Sequence, residues 1–108
     1  MNEININLKF NEYEFRRVKT MGGKPIVYVD KDWVGEDVII LPVPLDITDR
    51  WIEKHKTEDG YYDITIQTDV IFNKTVSELS NVGGLFIPKE FIGLDVLIIK
   101  TPKIQNLY

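Results

Sequence analysis

Hydrophobic and polar residues alternate along several segments of the chain. The alternation has a period of two in residues 4–10 and again in residues 62–67, which is typical of a strand with one buried face. Residues 37–43 and 95–101 instead contain uninterrupted apolar runs, at 38–43 and 96–99, and this pattern predicts strands that are buried on both faces. We therefore expect a mostly β protein.

The same pattern predicts the remaining elements in pairs. We expect second strands at about residues 13–20 and 70–78, and third strands at 26–29 and 85–87. Polar loops at 22–25 and 80–83 separate them, and short helical turns at 30–34 and 88–92 follow them. Each of these turns ends at a glycine, as helical turns commonly do.

Residues 45–58 are the one segment with helical character. Thr48 is a suitable N-cap, and Ile47, Trp51 and His55 recur at a helical spacing. A helix that binds a partner is one interpretation. We favour a connector that packs onto the strands through Trp51 and Ile52, because short amphipathic helices usually bury their apolar face.

The pairing of elements reflects an internal repeat. When the chain is shifted by 58 residues, seven of the 27 positions from 18 to 44 are identical, where chance would give roughly two. Residues 1–50 therefore match residues 59–108, with residues 45–58 as the link. Two copies are too few for a solenoid, and 108 residues form one modest core. We expect a single domain, 1–108, in which each copy packs against the other as a pseudo-dimer.

Composition limits the cellular compartments and the kinds of site that we expect for this chain. The chain has no cysteine, so neither a disulfide nor a thiolate metal site is available. It has no apolar run long enough to span a membrane, and its first residues lack the features of a signal peptide. We expect a cytoplasmic protein that has no membrane partner.

Charge is unevenly distributed. The net charge is −4, which gives no general attraction to phosphate. Four basic residues nevertheless lie close together with no acidic residue among them: Arg16, Arg17, Lys19 and Lys24. The corresponding part of the second copy has only Lys74 against Glu78.

Residues 18–29 read VKTMGGKPIVYV, a valine-led strand, a glycine loop and a second strand, and residues 85–93 read LFIPKEFIG, a strand and the turn that follows it. Both segments resemble the AbrB/MazE (SpoVT-AbrB) swapped-hairpin family, whose turn after that strand is similar. The match covers about 26 residues in each half. The sequence departs from the family pattern where Asp30 replaces a proline, where Ser80 replaces a loop glycine, and in the additional strand at residues 4–10.

The resemblance implies an all-β fold with one short linker helix, built as a swapped-hairpin barrel. In the family two chains interlock; here the two copies would form an intrachain pseudo-dimer, and the chain would be a monomer or, with 45–58 as a hinge, a homodimer. The resemblance also implies a small DNA-binding regulator whose strand-loop arms contact DNA. By position, the arm residues are Arg16, Arg17, Lys19, Lys24, Lys74, Ser77 and Asn81.

Other interpretations stay open. The basic residues of the first arm could be solvated charges that protect an edge strand, and the protein could be a protein-interaction module, antitoxin-like or accessory, that binds no DNA. His55 is the only histidine, so it forms neither a metal site nor a nucleophile–base pair. Trp33 and Phe91 are expected in the core. We expect no enzyme activity, no cofactor and no metal.

Overall fold

The computed structural model describes residues 4–43, 47–68, 70–100 and 103–107. Antiparallel strands account for most of this part of the chain, with one short α-helix, α1, at Asp49–Glu53 and two single 3-10 turns at Lys31–Trp33 and Lys89–Phe91. The strands are β1 (Ile4–Phe10), β2 (Tyr13–Arg17), β3 (Lys19–Met21), β4 (Lys24–Val29), β5 (Asp37–Pro42), β6 (Tyr62–Thr68), β7 (Phe72–Thr75), β8 (Ser77–Leu79), β9 (Val82–Phe86), β10 (Asp95–Lys100) and β11 (Lys103–Leu107).

These strands form three antiparallel sheets. We name them the terminal sheet (β11-β1-β6), the central sheet (β2-β10-β5-β7) and the hairpin sheet (β3-β4-β9-β8). Each sheet retains two edge strands, so the described part of the chain does not form the closed barrel that the resemblance implied. The expectation of a mostly β fold is confirmed.

The central sheet separates two hydrophobic clusters. On β5, Val38 and Ile40 belong to one cluster and Ile39 and Leu41 to the other, and β10 alternates in the same way. The first cluster includes core residues of the hairpin sheet, and the second includes core residues of the terminal sheet. The prediction that β5 and β10 are buried on both faces is confirmed.

Strand pairing follows the internal repeat. In β1–β6, β4–β9 and β5–β10, one residue lies directly opposite the residue 58 positions later: Asn7 opposite Thr65, Val27 opposite Leu85, and Ile40 opposite Ile98. In addition, β2 of the first half pairs with β10 of the second, and β7 of the second half pairs with β5 of the first. The two halves therefore share all three sheets, and residues 38–41 lie next to residues 96–99 in the central sheet.

The predicted second strands are wrong in one respect. Each is broken in two, at Val18 and at Val76, both buried. Val18 bonds through its backbone to Gly93 and Leu94, at N–O distances of 3.1 and 2.9 Å. Val76 makes the equivalent bonds to Gly35 and Glu36. The backbone N–H and C=O groups of both valines therefore bond to residues of the other half of the molecule. At each valine the chain leaves the central sheet and enters the hairpin sheet.

Other boundaries also differ. The third strands begin earlier than predicted, at Lys24 and at Val82, because only the residue pairs 22–23 and 80–81 form the turns. Strand β11 was missed, since no element was predicted after residue 101. The linker helix is confirmed in part: Thr48 caps it, accepting from the Trp51 backbone N–H at 3.2 Å, and Ile52 is buried, but it covers only Asp49–Glu53. Residues 45 and 46 of the predicted linker lie outside the described residues.

Candidate functional site

The hairpin sheet has one face in the core and one facing away from it. Val27 and Val29 of β4 and Leu85 of β9 lie in the first hydrophobic cluster. Because successive side chains on a strand point to opposite faces, the alternate residues of β4 and β9 lie on the other side. We call this side the outer face.

The register of the four strands determines which residues share the outer face. Lys19 pairs with Ile26, Tyr28 pairs with Gly84, and Ser77 pairs with Gly84 from the other side. Following these pairs, the outer face consists of Lys19, Met21, Lys24, Ile26, Tyr28, Ser77, Leu79, Val82, Gly84 and Phe86. None of them is acidic, although the chain has 17 acidic residues. This face is therefore a locally cationic surface on an anionic protein.

The two lysines of the outer face are available to a ligand. Lys19 is on β3 and Lys24 is at the start of β4, next to the Gly22–Gly23 turn, and both side chains are exposed. Within the described ranges neither has an ion pair. Their charges are therefore not neutralised by a neighbouring carboxylate.

Arg16 is held by its neighbours instead. Its guanidinium donates from Nε to the Tyr28 carbonyl at 3.1 Å and from Nη1 to the Phe15 carbonyl at 2.9 Å, and it forms an ion pair with Glu14. All three nitrogens therefore have a partner, and the hydrogen bond to Tyr28 joins β2 to β4. The arrangement makes Arg16 a residue that positions the strands, with its charge balanced by Glu14.

Arg17 has a partner from the other half of the chain. Its Nε lies 3.1 Å from Asp95 Oδ1, and this hydrogen bond raises the pKa of the guanidinium above its ordinary value. The repeat places Thr75 at the position that corresponds to Arg17, and the Thr75 hydroxyl donates to Asp37 at 2.7 Å. The contact is thus equivalent in the two halves but ionic only in the first. Because the Arg17 side chain is well exposed, such a pair contributes little to stability and can open.

The structure brings together three of the four basic residues predicted in the first arm. A pocket of about 350 Å³ is lined by Phe15, Arg16, Arg17, Lys19, Ile26 and Tyr28. The fourth residue, Lys24, lines a separate groove of about 300 Å³ with Pro25, Phe86 and Ile87.

The residues predicted in the second arm are dispersed. Lys74 lies on β7, an edge of the central sheet, in a pocket with Asp37, Asn73 and Thr75. Ser77 is exposed on the outer face, and Asn81 lies in the turn between β8 and β9. The structure therefore does not collect Lys74 and Asn81 with the basic residues of the first arm.

Two exposed aromatic residues of the outer face were missed by the sequence analysis. Tyr28 is 37% exposed and Phe86 is 41% exposed, and they occupy equivalent positions of the two copies. The available signal was the retention of an aromatic ring at the same position of both repeats, in strands whose neighbouring residues are buried. Trp33 and Phe91, in contrast, are buried in the first cluster, as expected.

A separate polar cluster joins helix α1 to the sheets. The Tyr13 hydroxyl lies against Asp49 and, at 2.7 Å, against Glu53, while the Tyr62 hydroxyl donates to Glu53 at 2.8 Å. These hydrogen bonds, the one from Tyr13 first, lower the pKa of Glu53. Burial, followed by the nearby carboxylates, raises the pKa of Tyr13. The cluster fixes the helix to β2 and β6.

The described residues contain no group of three or more His, Cys, Asp or Glu side chains that could hold a metal ion. His55 donates from Nδ1 to the Trp51 carbonyl at 2.7 Å and packs against the Trp51 ring, so its surroundings are those of a helix-end residue. Within the described ranges, no helix has the length and apolar character needed to cross a bilayer.

Comparison of the chain with protein-family models, with curated proteins and with solved structures found no match.

Proposed function

We propose that the protein binds DNA through the outer face of the hairpin sheet. The observation that carries the proposal is the charge of this face. Lys19 and Lys24 are exposed and form no ion pair with any described residue, and none of the residues of the face is acidic. Phosphate contacts from lysine and arginine supply most of the affinity in complexes of this kind. The protein would act by binding and not by catalysis.

The proposal includes the AbrB/MazE-like architecture. Its support is the exchange of strands between the halves, in which β2 joins β10 and β7 joins β5. A swapped-hairpin pseudo-dimer would have such pairs. The DNA-binding arm would then be the first hairpin, residues 19–29, at one edge of the hairpin sheet.

We infer different roles for the basic residues from their contacts. Lys19 and Lys24 would contact phosphates directly, while Arg17 stays paired with Asp95. Arg16 would act indirectly, since its nitrogens already bond to Tyr28, Phe15 and Glu14. With so few contacts and a net charge of −4, we expect a dissociation constant of roughly 10⁻⁴–10⁻⁶ M at physiological salt, the range of non-specific complexes.

The test is the salt dependence of binding to a labelled DNA duplex, measured by fluorescence anisotropy. Two phosphate contacts give a slope of about −1.8 in log K against log [salt], or about a ten-fold loss of affinity between 50 and 200 mM salt. The double variant Lys19→Gln/Lys24→Gln should abolish most of this slope. The control Lys31→Gln/Lys54→Gln removes the same charge from exposed positions outside the outer face and should leave the slope almost unchanged.

Equal losses in the two double variants would show that only net charge matters, and the proposal would be wrong. Absence of binding by the unmodified protein at low salt to both duplex and single-stranded DNA would also contradict it. The protein-interaction alternative would then gain weight from Ile92 and Leu94, which flank the Gly93 turn and are 45% and 46% exposed. A pull-down from cell extract with and without nuclease separates the two, because a direct protein partner survives the nuclease.

A further inference from the structure

The two aromatic rings of the outer face lie diagonally across the centre of the sheet. Tyr28 is opposite Gly84, and Phe86 is opposite Ile26. Diagonal residues on neighbouring strands are about 7–8 Å apart. Gly84 has no side chain and Ile26 is fully buried, so neither opposite neighbour presents a side chain to solvent next to the rings.

The Tyr28 ring lies along the face. Its hydroxyl is 3.2 Å from the Met21 sulfur, and Met21 pairs with Lys24, four residues before Tyr28 on the same strand. At about 3.3 Å per residue, the hydroxyl can reach that sulfur only if the side chain extends along the strand. The Tyr28 side chain therefore lies along the outer face, and the residue remains 37% exposed.

Each ring has a lysine beside it. Tyr28 and Lys19 line the same pocket, and Phe86 and Lys24 line the same groove. The outer face thus presents two pairs, each made of an exposed ring and an exposed cation. A single-stranded nucleic acid offers the complementary pair of groups at every nucleotide, a flat base and a phosphate.

We propose that the ligand of the outer face is single-stranded nucleic acid, with one base stacked on Tyr28, another on Phe86, and phosphates on Lys19 and Lys24. This inference rests on the proposed function and names its substrate class. In a duplex the bases are paired and stacked at about 3.4 Å per step, so their flat sides are closed to a ring without local unstacking. An extended single strand instead leaves each base free to stack on an exposed ring that has a cation beside it. Stacking and phosphate contacts are available to every nucleotide, so we expect binding that is tolerant of sequence.

The experiment compares a labelled oligothymidylate of about 12 nucleotides, a length that spans a typical site, with a duplex of the same length, at 50 mM salt. The unmodified protein should bind the single strand at least about ten-fold more tightly. Tyr28→Leu and Phe86→Leu should each weaken single-strand binding by roughly ten-fold or more, the usual effect of losing one stacked base. Tyr28→Phe keeps the ring and should retain most of the affinity.

Tyr61→Leu is the matched control, because Tyr61 lies next to Lys9 in another part of the fold and its removal should leave binding unchanged. Circular dichroism and melting curves establish that each variant is folded. If the duplex binds as well as the single strand and the leucine variants bind like the unmodified protein, the single-strand inference is wrong while DNA binding stands. If neither nucleic acid binds at 50 mM salt, both are wrong.

Discussion

Truncation of Ile98 tests whether the two hydrophobic clusters unfold as one unit. Ile98 is fully buried in the first cluster, directly opposite Ile40 at the middle of the central sheet. Ile98→Ala deletes three buried carbons, which costs about 2.4 kcal/mol at about 0.8 kcal/mol per carbon. A cavity that relaxes only partly adds up to about 2 kcal/mol. We therefore expect the free energy of unfolding to fall by roughly 2–4 kcal/mol, a large share of a typical 5–15 kcal/mol.

Two tryptophans make the assay specific. Trp33 lies in the first cluster and Trp51 packs against the second, so their fluorescence reports on opposite sides of the central sheet. In urea titrations of single-tryptophan proteins made with Trp51→Phe or Trp33→Phe, Ile98→Ala should lower both midpoints equally, since β5 and β10 have residues in both clusters. The slope m should stay constant. Val82→Ala, at an exposed position, is the control and should change little.

A Trp51 transition that stays at its original urea concentration in Ile98→Ala would refute the reasoning. It would mean that the terminal sheet and helix α1 unfold separately from the first cluster. A loss well under 1 kcal/mol would refute the burial argument itself.

Three further predictions concern the fold. Gly83→Ala should destabilise the protein by about 1–3 kcal/mol in urea, because the added Cβ would lie 2.8 Å from side-chain carbons of Val29 and Val76. Gly22→Ala, the comparison, meets no neighbouring atom and is strained only by its positive φ. Tyr13→Phe should destabilise the protein most near neutral pH. Hydrogen bonding from Tyr13 lowers the pKa of Glu53, so the stabilisation that this hydrogen bond gives is fully present above about pH 4.3 and is lost as the pH falls through the lowered pKa. In melts from pH 7 to 3, the difference between Tyr13→Phe and the unmodified protein should therefore shrink, and a constant difference would exclude this linkage. Since the described strand pairs join the halves within one chain, the melting temperature should be independent of protein concentration; a steady fall on dilution would indicate an obligate dimer.

Local sequence patterns predicted whether an element is a strand or a helix more accurately than the residues at which it begins and ends. The apolar runs that became β5 and β10, the 3-10 turns before Gly35 and Gly93, and the Thr48 cap were all predictable, because each depends on neighbouring residues. The breaks at Val18 and Val76 were not. Each valine fits a continuous strand, and only its bonds to residues of the other half divide that strand.

In the candidate site, too, some features were predictable from the sequence and others depend on contacts between distant residues. The repeat and the absence of an acidic residue between Arg16 and Lys24 were predictable from the sequence, whereas the exposure of Tyr28 was not. Only the fold brings Arg17 to Asp95, 78 residues away, and places Phe86 on the same face as Tyr28. Periodicity indicates which residues of a strand lie on the same face of its sheet, since successive side chains point to opposite faces. Which strands become neighbours depends on how the whole chain buries its apolar surface, and that is a property of both halves together.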